Sequence, residues 1–134
     1  MKKAVDKAAV ELTPSPFNVR TRVHEYGGAP FFVHKSHLYF SNFEDNLLYL
    51  RTENDAVQPI TSDSNHRYTD AAVDESRGRI YWVREDHTES AIFSETAIIA
   101  MDLDGSNERI VVSGNDFYSN PRISPDSKQL AYLT

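Results

Sequence analysis

Along this chain, short apolar runs recur between clusters of turn-forming residues. Three segments fall into register without a gap: "YGGAPFFVHKSHLYFS" from Tyr26, "YTDAAVDESRGRIYWV" from Tyr68 and "YSNPRISPDSKQLAYL" from Tyr118. The first two are offset by 42 residues and the last two by 50. In that register Leu38, Ile80 and Leu130 coincide, as do Phe40, Trp82 and Tyr132. Val73 matches Ile123, and Asp74 matches Ser124. A period of this size belongs to propellers and solenoids.

Each repeat reads as four short strands. In the first they are Ala29–His34, His37–Ser41, Asn46–Arg51 and Val57–Thr61; in the second, Asp70–Asp74, Arg79–Arg84, Ala97–Leu103 and Glu108–Ser113. Turn residues divide them: "FEDN" at 43–46, "ESRG" at 75–78, and "DLDGSNER" at 102–109, whose Asp104-Gly105 pair suits a tight hairpin. The extra residues of the second repeat fall in "EDHTESAIFSETA" (85–97). The second strands are apolar at consecutive positions, "LYF", "IYWV" and "LAYL", which predicts sheets covered on both faces. No 3.6-residue periodicity lies between the turns, which excludes a helical solenoid. The expected fold class is all-β, a partial β-propeller of about two and a half four-stranded antiparallel blades. The expected blades span 26–61 and 68–113, with a half blade at 118–134.

Residues 1–16 predict a tail or a short helix over Lys2–Leu12, ended by "TPSP". Asp6, Lys7 and Glu11 interrupt any signal-peptide core. No apolar run approaches the roughly 18 residues of a membrane span. In "HEYGG", Tyr26-Gly27-Gly28 takes the place of Tyr-Thr-Asp and Tyr-Ser-Asn and is expected to open a blade, its glycines permitting a sharp turn beside the channel.

Propellers hold four to eight blades, so an outer face at each end of this stack is expected to lack a neighbour. If about 500 Å² of apolar surface is uncovered per face, roughly 12 kcal/mol of burial is unrealised. That predicts association, either with another copy as a homo-oligomer or with further parts of a longer protein.

Composition narrows the function. The 134 residues are 40% hydrophobic and 25% charged, as in a globular domain. A net charge of −6, with no basic run, argues against nucleic acid. The chain has no cysteine, which excludes disulfides and thiolate chemistry and fits the cytoplasm. No cofactor is expected.

"NPRISPDSKQLAYLT", preceded by "AMDLDGSNERIVVSG", resembles the propeller repeats shared by the Tol-system translocation protein and the prolyl oligopeptidase family of serine peptidases. "FNVRTRVHEYGGAPFFV" and "ITSDSNHRYTDAAVDESRGRIYWVREDHTE" are more specific. They resemble the N-terminal propeller of bacterial dipeptidyl aminopeptidase or acylaminoacyl-peptidase-like members, over roughly residues 13–134. The resemblance implies a propeller that filters peptides above an α/β-hydrolase domain carrying a Ser-Asp-His triad. No Gly-x-Ser-x-Gly elbow occurs in the chain. It therefore reads as a non-catalytic fragment whose partners would be its own hydrolase domain and the parent's peptide substrate. The rival reading is a stand-alone interaction module closed by oligomerisation.

Two clusters are candidate substrate- or interface-facing sites. Arg20, Arg22, His24 and Glu25 precede the first innermost strand, where the resemblance implies a propeller–hydrolase interface that receives a peptide terminus. The plainer reading is a solvated strand with Val19 and Val23 inward and both arginines outward. His66, Arg67 and Asp70 flank Tyr68 and would line the channel, hold the insertion, or form a His–Asp or Arg–Asp bridge fixing the crossing between blades. His66 and His87 match no metal-ligand spacing, and "DLDGSNE" lacks the distal glutamate of a calcium loop. A triad from His24, Asp70 and a serine would lack both elbow and oxyanion hole.

Overall fold

A computed structural model describes residues 8–134. Among them are ten strands and no helix: β1 (Phe31–His34), β2 (His37–Ser41), β3 (Leu48–Arg51), β4 (Val57–Pro59), β5 (His66–Asp74), β6 (Arg79–Asp86), β7 (Glu95–Asp102), β8 (Arg109–Ser113), β9 (Ser119–Ile123) and β10 (Leu130–Leu133). They form antiparallel sheets ordered β1-β2-β3-β4, β5-β6-β7-β8 and β9-β10. The innermost strands lie side by side, β1 on β5 and β5 on β9. This is an open, partial β-propeller of two four-stranded blades and a two-stranded third.

The repeat is visible in the ladders. Leu38 pairs with Val33, Ile80 with Val73 and Leu130 with Ile123, so the same cross-strand contact recurs in each sheet. The innermost strands β5 and β9 both contain a bulge, with Asp70 at φ 52° and Asn120 at φ 53°. The extra residues of the second repeat lengthen a hairpin. Phe40 pairs with Tyr49, whereas Trp82 pairs with Ile99, and the ladder continues outward to Asp86 and Glu95.

The tyrosine register fails in the first blade. Tyr68 and Tyr118 are buried at 1% exposure, while Tyr26 is 94% exposed. The first hairpin turns through Lys35 and Ser36 alone, whereas the second needs residues 75–78, so the β1 ladder is displaced by two residues. Tyr26 falls in the preceding turn, where His24 and Glu25 adopt φ 57° and 61°. Gly28 nevertheless has a packing role: a Cβ there would collide with the Thr69 side chain on β5.

Two cores lie between the sheets. Tyr39, Leu48 and Leu50 of the first sheet pack on Tyr68, Ile80, Trp82, Ile99 and Met101 of the second. Phe32 stacks on Tyr39 at 4.7 Å and approaches Trp82 at 5.4 Å. The turn after β7 closes this interface: Gly105, at φ 88°, lies so near Ile60 that a Cβ would strike its carbonyl oxygen. The second core, on the other face of β6 and β7, holds Val83, Ile98 and Tyr118 together with Val23 from the segment before β1.

That segment also alters two expectations. Ala8–Leu12 is not helical, and the rest of the expected helix lies outside the described residues. The outer face of the first blade is less bare than expected. Phe17 packs edge-on against Phe40 and Tyr49, at 5.4 and 5.1 Å, and Phe40 is fully buried as a result. Phe31 and Val33 remain more than half exposed on that face.

Candidate functional site

All seven candidate residues lie where the chain enters the innermost strands of the first two blades. Alternation along β5 and β6 splits them between two faces of the second sheet. Arg67 and Glu85 point one way, and His66, Arg84 and Asp86 the other, consistent with their pairing across the ladder.

On the first face, Glu85 is the hub. Its side chain is 6% exposed. Oε1 accepts the backbone N–H of His24 at 2.6 Å. Oε2 lies 3.1 Å from His87 Nε2 and 3.9 Å from Arg67 Nη1, which also approaches Glu25 Oε1 at 3.5 Å. His24 extends onward to the third blade. Its Nε2 is 3.1 Å from the Tyr118 carbonyl oxygen, and its ring lies 4.4 Å from that of Phe117. A buried carboxylate needs such partners, since an unpaired one costs several kcal/mol.

On the second face, His66 Nε2 meets Asp86 Oδ2 at 3.1 Å, and Arg84 lies 3.6 Å from the same oxygen. Burial pushes the Asp86 carboxyl up, but hydrogen bonds from Thr88 and the nearby His66 and Arg84 hold it below the usual carboxylate range. The Tyr68 hydroxyl donates to Glu108 Oε2 at 3.0 Å. Burial, then the Glu108 carboxylate, raises that phenol well above its ordinary value. A cleft of about 260 Å³ opens here between the two blades, lined in part by Asp63, His66, Tyr68 and Glu108.

The remaining candidates separate. Asp70 sits at the β5 bulge and accepts the Ala29 N–H at 2.9 Å, tying the first blade to the second. Arg20 and Arg22 are exposed, and both stack over the Phe43 ring, at 4.7 and 4.2 Å. Val23 is buried against Val83 and Ile98 of the second sheet and Tyr118 of the third-blade entry. The structure thus brings His24, Glu25 and Arg67 together, places His66 on the opposite face, and leaves Arg20 and Arg22 on the surface.

Among the described residues, no serine or threonine hydroxyl bonds to the rings of His24, His66 or His87; their polar contacts are carboxylates, a tyrosine hydroxyl and a backbone carbonyl. No group of three metal-ligating side chains occurs there either. The Glu85 network clamps the second sheet to the segment before β1 and to the third sheet, whereas the His66 network ties together strands and turns of the second sheet itself. Glu85 and Asp86 escape as site residues because the sequence pattern ends the strand at Arg84; His87 enters there only as a candidate metal ligand, and Glu108 only as the start of a strand after a turn. The charge alternation in "REDH" was the available signal for a strand continuing with polar faces.

No family model matches the chain, and no curated protein matches it. Solved structures do match. A Mycobacterium tuberculosis puromycin-hydrolysing peptidase shares 30% identity with a TM-score of 0.81, over 92% of this chain and 22% of that one. Puromycin hydrolase shares 29% identity with a TM-score of 0.79, over 91% of this chain and 22% of that one. A mutant of puromycin hydrolase complexed with PGG gives 28% and 0.80 over the same shares. These structural neighbours are peptidases of the prolyl oligopeptidase family, and the likeness is consistent with a segment of their propeller. The chain spans about a fifth of the length of the peptidases it matches. Within this partial propeller, the Glu85 network faces the third blade and the His66 network lies beside the cleft between the first two. No helix among the described residues is long and apolar enough to cross a membrane.

Proposed function

We propose that this chain is the non-catalytic propeller segment of a serine peptidase, of the dipeptidyl aminopeptidase or acylaminoacyl-peptidase kind. In that role it covers a hydrolase domain and admits peptides or aminoacyl amides of the puromycin type. The observation that carries the reading is the match to puromycin-hydrolysing peptidases over nine-tenths of this chain but only about a fifth of theirs. Arg20 and Arg22 are exposed and, among the described residues, unpaired with any carboxylate, so they are the candidates to face the hydrolase domain or a peptide terminus; Glu25 is held by Arg67, His24 by the third blade, Asp70 by the first, and His66 by Asp86 of its own sheet. The absence of cysteine supports a cytoplasmic setting.

Reading the coding frame beyond Thr134 tests this. A Gly-x-Ser-x-Gly elbow is expected downstream, and a frame that lacks one overturns the reading. The purified chain should release no product from puromycin or from acylaminoacyl chromogenic amides above buffer. Turnover proportional to chain concentration would overturn its non-catalytic role. Exposed Phe31, Val33 and Leu133 favour a second reading, a self-standing interaction module, which a stop codon together with a stable oligomer would support.

A further inference from the structure

Several cations of this acidic chain are neutralised by neighbours: Arg51, Arg77 and Arg84 each meet a carboxylate. Among the described residues, neither the Arg20 nor the Arg22 guanidinium meets a carboxylate or donates a hydrogen bond. Both lie over the Phe43 ring, at 4.7 and 4.2 Å from its centroid. The neighbouring carboxylates in the chain are already engaged. Glu25 faces Arg67 at 3.5 Å, and Glu44 accepts from the Asn18 side-chain amide at 3.4 Å. Asp45 accepts from the Asn42 side chain, the Leu47 N–H and the Tyr49 hydroxyl, at 3.0, 3.0 and 2.7 Å. The segment carrying the two arginines is itself fixed. Val19 bridges to Asn42, the Phe43 N–H donates to the Asn18 carbonyl at 2.8 Å, and Thr21 and Val23 are buried. With those two residues inward, Arg20 and Arg22 stand outward together, two positions apart.

We infer that Arg20 and Arg22, braced on Phe43, form a carboxylate-binding fork whose ligand is a peptide with a free carboxylate, at its C-terminus or on an acidic side chain. Two like charges held this close repel, and the electron-rich ring face offsets part of that cost. A bound anion offsets the rest. Stacking uses the flat face of a guanidinium and leaves the N–H groups at its edge to donate in pairs. The two guanidinium carbons lie no further apart than their two ring distances together, so one carboxylate can receive donors from both. Bracing on the ring also removes in advance part of the rotamer freedom that a long cationic side chain loses on binding. Phe43 is thus a positioning residue that touches the arginines and not the ligand. The inference rests on the peptide-admitting role proposed above and deepens it by naming the peptides preferred.

Proton–nitrogen NMR on the full chain tests this, with three N-acetylated peptides as probes: trialanine free acid, trialanine amide and Ala-Ala-Glu amide. The Nε–Hε signals of Arg20 and Arg22 should move with the free acid or the glutamyl amide and stay in place with trialanine amide. Whichever of the first two binds more tightly identifies the source of the carboxylate. Arg20→Gln and Arg22→Gln lie at exposed positions, so the remaining spectrum should persist. Each should weaken binding about tenfold. Arg22→Lys keeps the charge and loses the fork, so it should restore only part of the affinity. Arg109→Gln, at an exposed position on β8, should change nothing. Phe43→Leu should weaken binding and raise the mobility of both guanidiniums, read by nitrogen relaxation, with the charge unaltered. Three results overturn the inference: no shift with either carboxylate peptide, an equal shift with trialanine amide, or sulfate binding as tightly as the free acid. A reading frame without a downstream elbow would overturn the peptidase reading and leave these shifts standing. Absent shifts in a chain whose frame carries the elbow overturn this inference alone.

Discussion

The two interfaces of this molecule are built differently. Between the first and second blades, side chains from two complete sheets interdigitate around Trp82, and the contact needs little beyond the sheets themselves. Between the second and third blades the apolar cluster is smaller, and a residue from far earlier in the chain, Val23, completes it. The segment around Val23 also brings His24 across to the Tyr118 carbonyl and Glu85. There the Val23 segment adds buried apolar surface and the His24–Glu85 contacts add directional polar ones.

The comparison breaks most sharply at Trp82. Trp82→Ala should cost about 4 kcal/mol and destabilise the chain as a unit, since the ring is fully buried at the larger interface. Chemical denaturation should show one transition at much lower denaturant. Separate transitions for the two four-stranded sheets would contradict this. Val23→Ala should cost about 2 kcal/mol. Its signature is local: amide exchange should quicken in β9 and β10, with β1 to β4 unchanged. Equal acceleration in all three sheets would remove the distinction between the interfaces.

The smallest effect concerns Asp74, at the turn between β5 and β6. Burial pushes its carboxyl up, but hydrogen bonds from Arg77 and Ser76 outweigh that and hold it at about 2. Arg77 also reaches the Ser127 carbonyl, so this turn ties the second blade to the third. A folded value below the ordinary 3.8 means the carboxylate stabilises the fold above that pH. The contribution is lost as pH falls from about 4 to about 2. Asp74→Asn should therefore cost about 1–2 kcal/mol at neutral pH, with the gap to the unsubstituted chain closing by pH 2. A gap that stays constant down to pH 2 would show that charge is not the cause.

How much of this was legible beforehand differs by element. β2 is read directly from "HLYFS", because consecutive apolar residues in a central strand serve two faces at once. β6 is recognised but cut short, since "RED" looks like loop until each charge is given a partner on its own face. An ungapped alignment that matches Leu38 with Ile80 and Leu130 puts Tyr26 in register with Tyr68 and Tyr118. A hairpin shortened by two residues shifts the ladder without leaving a mark on the tyrosine spacing. His24, Arg67 and Glu25 were singled out as charged neighbours of blade entries, yet Glu85, which gathers them, lies about sixty residues away from His24 along the chain.

By itself, the order of residues determined the local elements and their repetition, because alternation, turn chemistry and a period near that of a propeller blade are properties of neighbouring positions. Only the tertiary structure decided which faces meet, that Val23 completes the second core, and that His66 and Arg67, adjacent in the chain, serve opposite sides of one sheet. Those outcomes depend on contacts between positions distant in the chain, and a one-residue step along a strand reverses the face a side chain serves.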